Sequence, residues 1–402
     1  MKKYNNYQLD FIEKVVTTTG PRLPTSIEES IGAEIIADEL TKITGNKSKI
    51  EYFDCHPLAS IASIPVLGYL LMFLVVPFYI LIPVVALVLI SAFLLFTTVQ
   101  IFNYWDWFNF IFPKGRSQNV YNIIEPESKK VDFTVIISGH VDSSWFWKPI
   151  AKDPKRAWLG TIYGLISGIA LLLLSLLRVL DGYRVITLTG PWKILVIILL
   201  IPGFYLLSQL ITWNRKNASP GAIDNLSGVS IALWFAKYFK RNPEKKPKNC
   251  RIILAAFGCE EAGLKGSKAF VELHKKDLLK GNVWCLNIDG IGDPYKFHII
   301  ERERMLGTKF DKNFCKMADE AMHEEKIHHS SINMSLGGTD ASSFAKAGIK
   351  AISLTTYDTD IVDTYHTYLD TTDKIDKNAL ILTNKICFRI IKKIEEHVRK
   401  NK

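Results

Sequence analysis

Short apolar runs and longer amphipathic segments alternate through much of this chain. Phe133 to Ser138, Arg251 to Phe257, Val283 to Asp289 and Lys350 to Thr355 are rich in Val, Ile and Leu, as expected of strands buried on both faces. Between or after them, Gly228 to Phe239, Ser267 to Leu279, Lys309 to Glu325 and Asn378 to Val398 carry apolar residues at helical spacing. The chain opens similarly: from Tyr7 to Glu51 the pattern reads as helical and amphipathic, with Phe11, Val15 and Val16, then Gly20-Pro21-Arg22, then Ile31, Ile35, Ile36 and Leu40. The alternation predicts an α/β fold with a mostly parallel central sheet flanked by helices.

Two stretches break this rhythm. Ile61 to Phe102 is a run of 42 residues without a charge. As helix it would extend about 63 Å against a hydrocarbon core of about 30 Å, enough for two crossings. Pro77 and Pro83 lie near its midpoint, where a hairpin would have to stop the helix. Thr161 to Leu180 and Lys193 to Trp213 form a second pair of bilayer-length segments, joined by the polar linker Asp181 to Pro191. Trp105, Trp107, Trp145, Trp147, Trp158, Trp192 and Trp213 lie near the ends of these runs, where amphipathic rings prefer the membrane interface. The expected protein is therefore an integral membrane protein with four spans in two hairpins, and the lipid bilayer is a partner.

Composition agrees. Hydrophobic residues make up 48% of the 402 residues and the mean hydropathy is +0.11, apolar for a soluble enzyme. The net charge of +10 comes from scattered Lys and Arg, concentrated in Lys240 to Lys248 and Ile391 to Lys402. A nucleic-acid surface would gather them beside aromatics, so no nucleic-acid partner is expected. The six cysteines are dispersed without a Cys-x-x-Cys pair, which reads as free thiols. Met1 to Asp10 lacks the apolar core of a secretory signal.

Ligands in open α/β sheets bind beyond the carboxyl ends of the strands, and polar residues gather there. After the first run comes Gly139-His140-Val141-Asp142, in which the carboxylate can take the second imidazole proton of a metal-bound His140. After the second comes Gly258-Cys259-Glu260-Glu261, adjacent carboxylates that raise each other's pKa unless a cation is present. A metal resolves that conflict if one Glu is a ligand and its neighbour a general base. Asp289 ends the third run, Asp224 precedes a helix, and His366 follows in Asp363-Thr364-Tyr365-His366-Thr367. Singly, each has a structural reading, such as Asp224 as a helix N-cap. Together, two His and three carboxylates suit zinc or another borderline divalent ion.

The order His-x-Asp, Gly-Ala-x-Asp-x-x-Ser-Gly, Glu-Glu-x-Gly-x-x-Gly-Ser, Asp and Tyr-His resembles the di-zinc metallopeptidase family of bacterial leucyl aminopeptidases, glutamate carboxypeptidase and glutaminyl cyclases. The likeness extends to Thr19-Gly20-Pro21-Arg22 and to Gly337-Gly338-Thr339-Asp340. It implies two Zn2+ ions, replaceable by another divalent metal: His140 and Asp289 on one, Glu261 and His366 on the other, and Asp224 bridging. It further implies Glu260 as general base, Asp142 orienting His140, and Tyr365 as a contact to substrate or intermediate or else simple aromatic packing. The implied activity is exopeptidase hydrolysis of a peptide substrate, in the first place by an aminopeptidase. A glutaminyl-cyclase-like zinc transferase, a carboxypeptidase and a catalytically silent scaffold are the alternatives.

On this reading a peptidase domain is divided into 1–58, 109–157 and 214–402 by hairpins at 59–108 and 158–213. Its pieces must meet in one fold, so each insertion crosses the bilayer an even number of times. Trp213 is eleven residues from Asp224, which keeps the metal centre within about 40 Å of the bilayer. Lys47, Lys49, Lys114, Arg116, Lys148, Lys152, Lys155, Arg156, Arg215 and Lys216 flank the spans on the peptidase side, against Arg178, Arg184 and Lys193 on the other. The positive-inside rule then places the catalytic domain in the cytoplasm. The sequence sets no oligomeric state.

Overall fold

The computed structural model describes residues 6–60, 63, 74–148, 152–182, 194, 213–335, 337–357 and 362–401. The anticipated strands are β3 (Phe133–His140), β6 (Cys250–Phe257), β7 (Val283–Ile288) and β11 (Lys350–Thr355). They form the centre of a mixed sheet in the order β6-β3-β7-β11, all parallel. Ile136, Leu254, Leu286 and Ile352 are fully buried along them, which explains their unbroken apolar runs.

The edges of the sheet depart from the expected pattern. On one side β1 (Lys49–Cys55) and β2 (Gly115–Ile124) pair antiparallel with each other, and β2 pairs antiparallel with β6. On the other, β8 (Phe297–Glu303) runs antiparallel to β11 and parallel to β10 (His329–Met334), and β9 (Thr308–Lys309) adds to β8. The sheet is thus parallel at its centre and antiparallel where it changes direction. The helical reading of Tyr7 to Glu51 also ran too far: α1 (Tyr7–Thr19) and α2 (Ile27–Thr44) end before β1 begins at Lys49. Gly45, in the left-handed region at φ 80°, stops α2.

Tyr7–Thr19, Ile27–Thr44, α6 (Ser227–Arg241), α8 (Lys312–Glu324) and α10 (Lys377–Lys400) pack together over one face, while α7 (Lys265–Lys280) and α9 (Ala341–Lys346) cover the other. Phe270 of α7 and Phe344 of α9 pack against each other and against Phe257 of β6.

Both apolar insertions leave and re-enter the domain at single points. Cys55 lies opposite Gly115 in the sheet, and His56 Nδ1 is 2.7 Å from the Phe112 carbonyl. The second insertion is bracketed by a two-stranded ribbon in which β4 (Trp145–Trp147) pairs with β5 (Trp213–Ala218), Trp147 opposite Trp213. Among the described residues two segments are long and apolar enough to cross a bilayer, Pro83–Phe102 and Ile162–Leu180. The other two anticipated spans fall largely outside the described residues.

The first insertion breaks at Ile82, between α3 (Val76–Leu81) and α4 (Pro83–Phe96), where Pro83 removes a donor and blocks continuation. Its two helices and α5 (Pro154–Leu180) of the second insertion share a cluster of Val75, Tyr79, Ala86, Ile90, Leu171 and Leu174. The insertions therefore pack as one unit. Arg178 of α5 donates to the carbonyls of Tyr79 (2.5 Å) and Ile80 (3.1 Å), satisfying groups that the helix break frees.

Candidate metal centre

His140 is the last residue of β3, Asp289 directly follows β7, and Glu260 and Glu261 follow the end of β6 after Gly258 and Cys259. Asp224 precedes α6, and His366 lies in the loop after β11. Their convergence depends on close backbone approach: a Cβ on Gly228 would collide with the Ile288 carbonyl, and one on Gly139 would come within 2.8 Å of the Val229 nitrogen. With no side chain at either position, the start of α6 sits directly over β3 and β7. Asn225 fastens this contact, donating to the Ile288 carbonyl at 2.9 Å and accepting from Gly228 N at 3.1 Å.

The six anticipated residues of the His and carboxylate set all meet. His140 Nε2 is 3.0 Å from Asp224 Oδ1, 3.8 Å from Glu260 Oε2 and 3.9 Å from Asp289 Oδ1. His366 Nε2 is 3.5 Å from Asp224 Oδ2 and 3.3 Å from Glu261 Oε2. The donors thus form the triads His140, Asp224, Asp289 and Asp224, Glu261, His366, each spanning no more than 4.8 Å and sharing Asp224 through its two oxygens. Asp224 does not cap α6.

Asp142 has a broader task than holding one imidazole. His140 Nδ1 lies 3.0 Å from the Asp142 main-chain carbonyl and 3.4 Å from its carboxylate. The carboxylate itself accepts the N–H groups of Glu260 and Glu261, each at 3.0 Å. It positions the acidic turn and the histidine together.

Several supporting residues were given no place in the site by the sequence reading. Glu29 is fully buried; Oε1 accepts from Cys259 N at 2.8 Å and Ser117 at 3.0 Å, and Oε2 from Thr25 N at 2.8 Å. Ser26 caps α2 by accepting from Glu29 N, so Ser26-x-x-Glu29 carried a capping-box signal but no hint of the 230-residue reach to Cys259. Asp370 accepts Ile223 N at 2.6 Å and Asp224 N at 3.2 Å, holding the Asp224 loop from behind. Arg22, also fully buried, donates to the carbonyls of Val141, Pro220 and Gly221 at 2.8 to 2.9 Å, tying the His140 and Asp224 loops together.

The electrostatics are those of crowded buried acids. Burial, reinforced by Asp340, Asp289 and Glu261, raises the Glu260 pKa well above the usual carboxylate range despite His140. Glu261 is raised in the same direction by burial and by Asp224. Asp289 is pushed up to about 8 by burial, with Asp224 and Asp340 adding to it. Burial opposes charging of the His140 ring, yet Glu260, Asp142 and Asp224 lift its pKa well above the ordinary value. Asp224 alone is depressed: burial works against it, but His140 and His366 hold it below the usual range. Glu261 Oε1 and the Ser144 hydroxyl beside it are buried outside hydrogen-bonding geometry. Such a set fits a multivalent cation, which supplies the positive charge that two imidazoles cannot.

Two tyrosines flank the cluster. Tyr365 stacks on His366 with centroids 3.8 Å apart and meets Tyr357 edge-on, so packing accounts for its ring. Tyr104, from the exit of the first insertion, was not anticipated. Its ring lies against Gly263 beside Leu264 and Leu306, and the Glu260 and Glu261 carboxylates add to the burial that raises its pKa. Lys268 donates to the Tyr104 carbonyl at 2.5 Å and Lys265 pairs with Asp106, docking the insertion exit onto the chain just beyond the acidic turn.

Comparison with known proteins follows the same lines. Residues 211–391 match Peptidase family M28. A curated relative, Aminopeptidase YwaD of Bacillus subtilis (strain 168), is 32% identical over 167 residues, 40% of this chain; the match spans 35% of that protein's length. A zinc aminopeptidase from Bacillus subtilis, BSAP, superposes with a TM-score of 0.58 at 16% identity, covering 97% of this chain and 95% of its own. An Acidobacteriales bacterium glutaminyl cyclase gives 0.55 at 13% identity over 98% and 95%. A Zn-dependent exopeptidase from Parabacteroides distasonis gives 0.55 at 13% identity over 96% and 97%. These structures share the fold.

Proposed function

Because residues 211–391 match Peptidase family M28, we propose that the chain is a membrane-anchored zinc exopeptidase, an aminopeptidase that removes N-terminal residues from peptides. The observation that carries the reading is the pair of donor triads meeting at Asp224. His140, Asp224 and Asp289 would hold one zinc, and Asp224, Glu261 and His366 a second, a donor chemistry that suits this ion. Bound there, zinc supplies Lewis-acid polarisation of a peptide carbonyl and a lowered pKa for water.

The chain's own residues do the rest. Glu260 belongs to neither triad that meets at Asp224; its carboxylate instead groups with His140 and Glu261 within 4.8 Å, 3.8 Å from His140 Nε2. As a carboxylate beside the donors, it can take a proton from the attacking water and return it to the leaving amine nitrogen. Asp142 fixes Glu260 and Glu261 through their N–H groups, so that base and ligand keep different orientations.

The apolar unit formed by α3, α4 and α5 serves as the anchor. The paired entry and exit of each insertion support an even number of crossings, and the flanking Lys and Arg residues support a cytoplasmic catalytic side. Labelling of single introduced cysteines from either side of sealed vesicles tests that orientation; protection of the peptidase surface in inside-out vesicles would reverse it.

The decisive experiment is zinc analysis of the purified protein with a peptide-library cleavage assay, beside Glu260→Gln. Two zinc ions per chain are expected in both proteins, with N-terminal cleavage by the wild type and a loss of about 10²-fold or more in the variant. Full activity in Glu260→Gln removes it as the base. One zinc with cyclisation of N-terminal Gln would assign the transferase chemistry instead.

A further inference from the structure

Away from the His140 cluster, three donor side chains meet where α8 ends and the edge strand β10 begins. Asp319 and His323 lie four residues apart on α8 and so share a face, and the following turn returns the chain at His329. Their ligand atoms lie within 4.8 Å of one another. Asp319 Oδ1 is 2.9 Å from His329 Nε2 and 3.7 Å from His323 Nε2, and the two rings meet edge to face at 4.8 Å.

The tautomer of His329 makes this arrangement informative. Nδ1 stands 2.9 Å from the Ile327 carbonyl, which can only accept, so Nδ1 carries the proton. In the neutral ring Nε2 is then a lone pair, and it faces a carboxylate oxygen at 2.9 Å. Two acceptors that close require a proton or a metal ion between them. An Nδ1 bond to a main-chain carbonyl is also how proteins orient metal-bound histidines. The His329 side chain is 4% exposed, against 72% for His323 and 44% for Asp319, so an inward-anchored nitrogen opens toward an outer rim with room for water.

We propose that Asp319, His323 and His329 form a surface site for a divalent transition metal such as zinc, separate from the triads around Asp224. Two imidazoles and one carboxylate supply three ligands, and water completes the tetrahedron. The ion would staple the last turn of α8 to β10.

The test compares bound zinc after dialysis of the full-length protein against buffered zinc, for wild type, His323→Ala and His329→Gln. Each variant is expected to hold one zinc fewer per chain, with peptide cleavage unchanged in His323→Ala. Amide exchange over residues 325–334 should slow on adding zinc to the wild type and not to the variants. His323→Ala alters an exposed side chain and leaves the fold intact, so its result stands even where His329→Gln misfolds. Equal zinc content in wild type and His323→Ala, or exchange over 325–334 that ignores zinc, overturns the site.

Discussion

Removing the metal should make stability depend on pH in a direction set by the buried acids. Asp289 is pushed up to about 8 and Asp340 to about 7, in each case chiefly by burial. Glu260 and Glu261 move the same way. In the unfolded chain these carboxyls ionise near pH 4. Between there and the folded pKa, the folded protein keeps protons that the unfolded chain has released, so stability falls as pH rises. His140, raised by the surrounding carboxylates, adds to the trend: its stabilising charge is present at low pH and is lost as pH climbs through its folded pKa.

Taking Asp289 alone from pH 5.5 to pH 8, about 2.5 pKa units at 1.4 kcal/mol each amount to roughly 3 kcal/mol. For a peptidase part of about 300 residues that is about 5 °C in Tm. In the zinc-loaded protein the ligands stay ionised in the fold, and the slope should largely vanish above the pH at which zinc binds. The assay is thermal unfolding of detergent-solubilised protein, chelator-treated and zinc-reloaded, at half-unit pH steps. A chelator-treated protein whose Tm is flat or rises from pH 5.5 to 8 would refute the reasoning, because the crowding of carboxylates would then not be felt.

Asp370→Asn leaves one acceptor where two N–H groups are held and should cost about 2 to 4 kcal/mol. It should also weaken zinc binding about 10- to 100-fold in a chelator competition through loss of the Asp224 loop; unchanged affinity would show that loop to be self-supporting. Gly228→Ala sets a methyl against the Ile288 carbonyl and should destabilise by about 3 kcal/mol or more, read as lost monodisperse protein in detergent, where normal yield and Tm would argue that α6 can shift. Tyr104→Ala and Asp106→Ala should alter kcat/KM on peptides while zinc content holds. Identical kinetics in both would mean that the insertion exit merely rests on the enzyme.

The candidate ligand set was legible in the sequence because His140, Glu261 and Asp289 sit at or just beyond the ends of apolar strands, as His140 does after Phe133 to Ser138, while Asp224 and His366 stand in short polar motifs, before α6 and in the loop after β11. Local chain geometry brings such residues to one edge of the sheet. Glu29, Arg22 and Asp370 were not legible as parts of the site, because each acts on backbone groups more than a hundred residues away. A carboxylate that accepts main-chain N–H groups needs no particular neighbour in sequence, so nothing marks it. The antiparallel edges escaped for another reason. β1 and β10 are half-exposed and mix polar with apolar positions, and in β10, His329-Ser330-Ser331-Ile332-Asn333-Met334, only pairing with β8 makes the segment a strand.

The insertions also proved less separable from the chemistry than their composition implied. Read as hydropathy they are anchors, detachable in principle from a complete peptidase. In the fold, the exit of the first presses Tyr104 against Gly263, just after the acidic turn, and Asp106 and the Tyr104 carbonyl engage Lys265 and Lys268. The stem of the second reaches the other side of the cluster, where Trp147 N donates to the His366 carbonyl at 2.9 Å. His366 holds a left-handed backbone conformation at φ 55°, uncommon for a residue with a Cβ, and that hydrogen bond is one of the contacts fixing it. The exit of the first insertion and the strand that leads into the second therefore touch different loops of the cluster, one beside Glu260 and Glu261 and one at His366. Since α4 and α5 also pack against each other, the segments that meet these two loops of the cluster are joined through the part of the chain most suited to a bilayer.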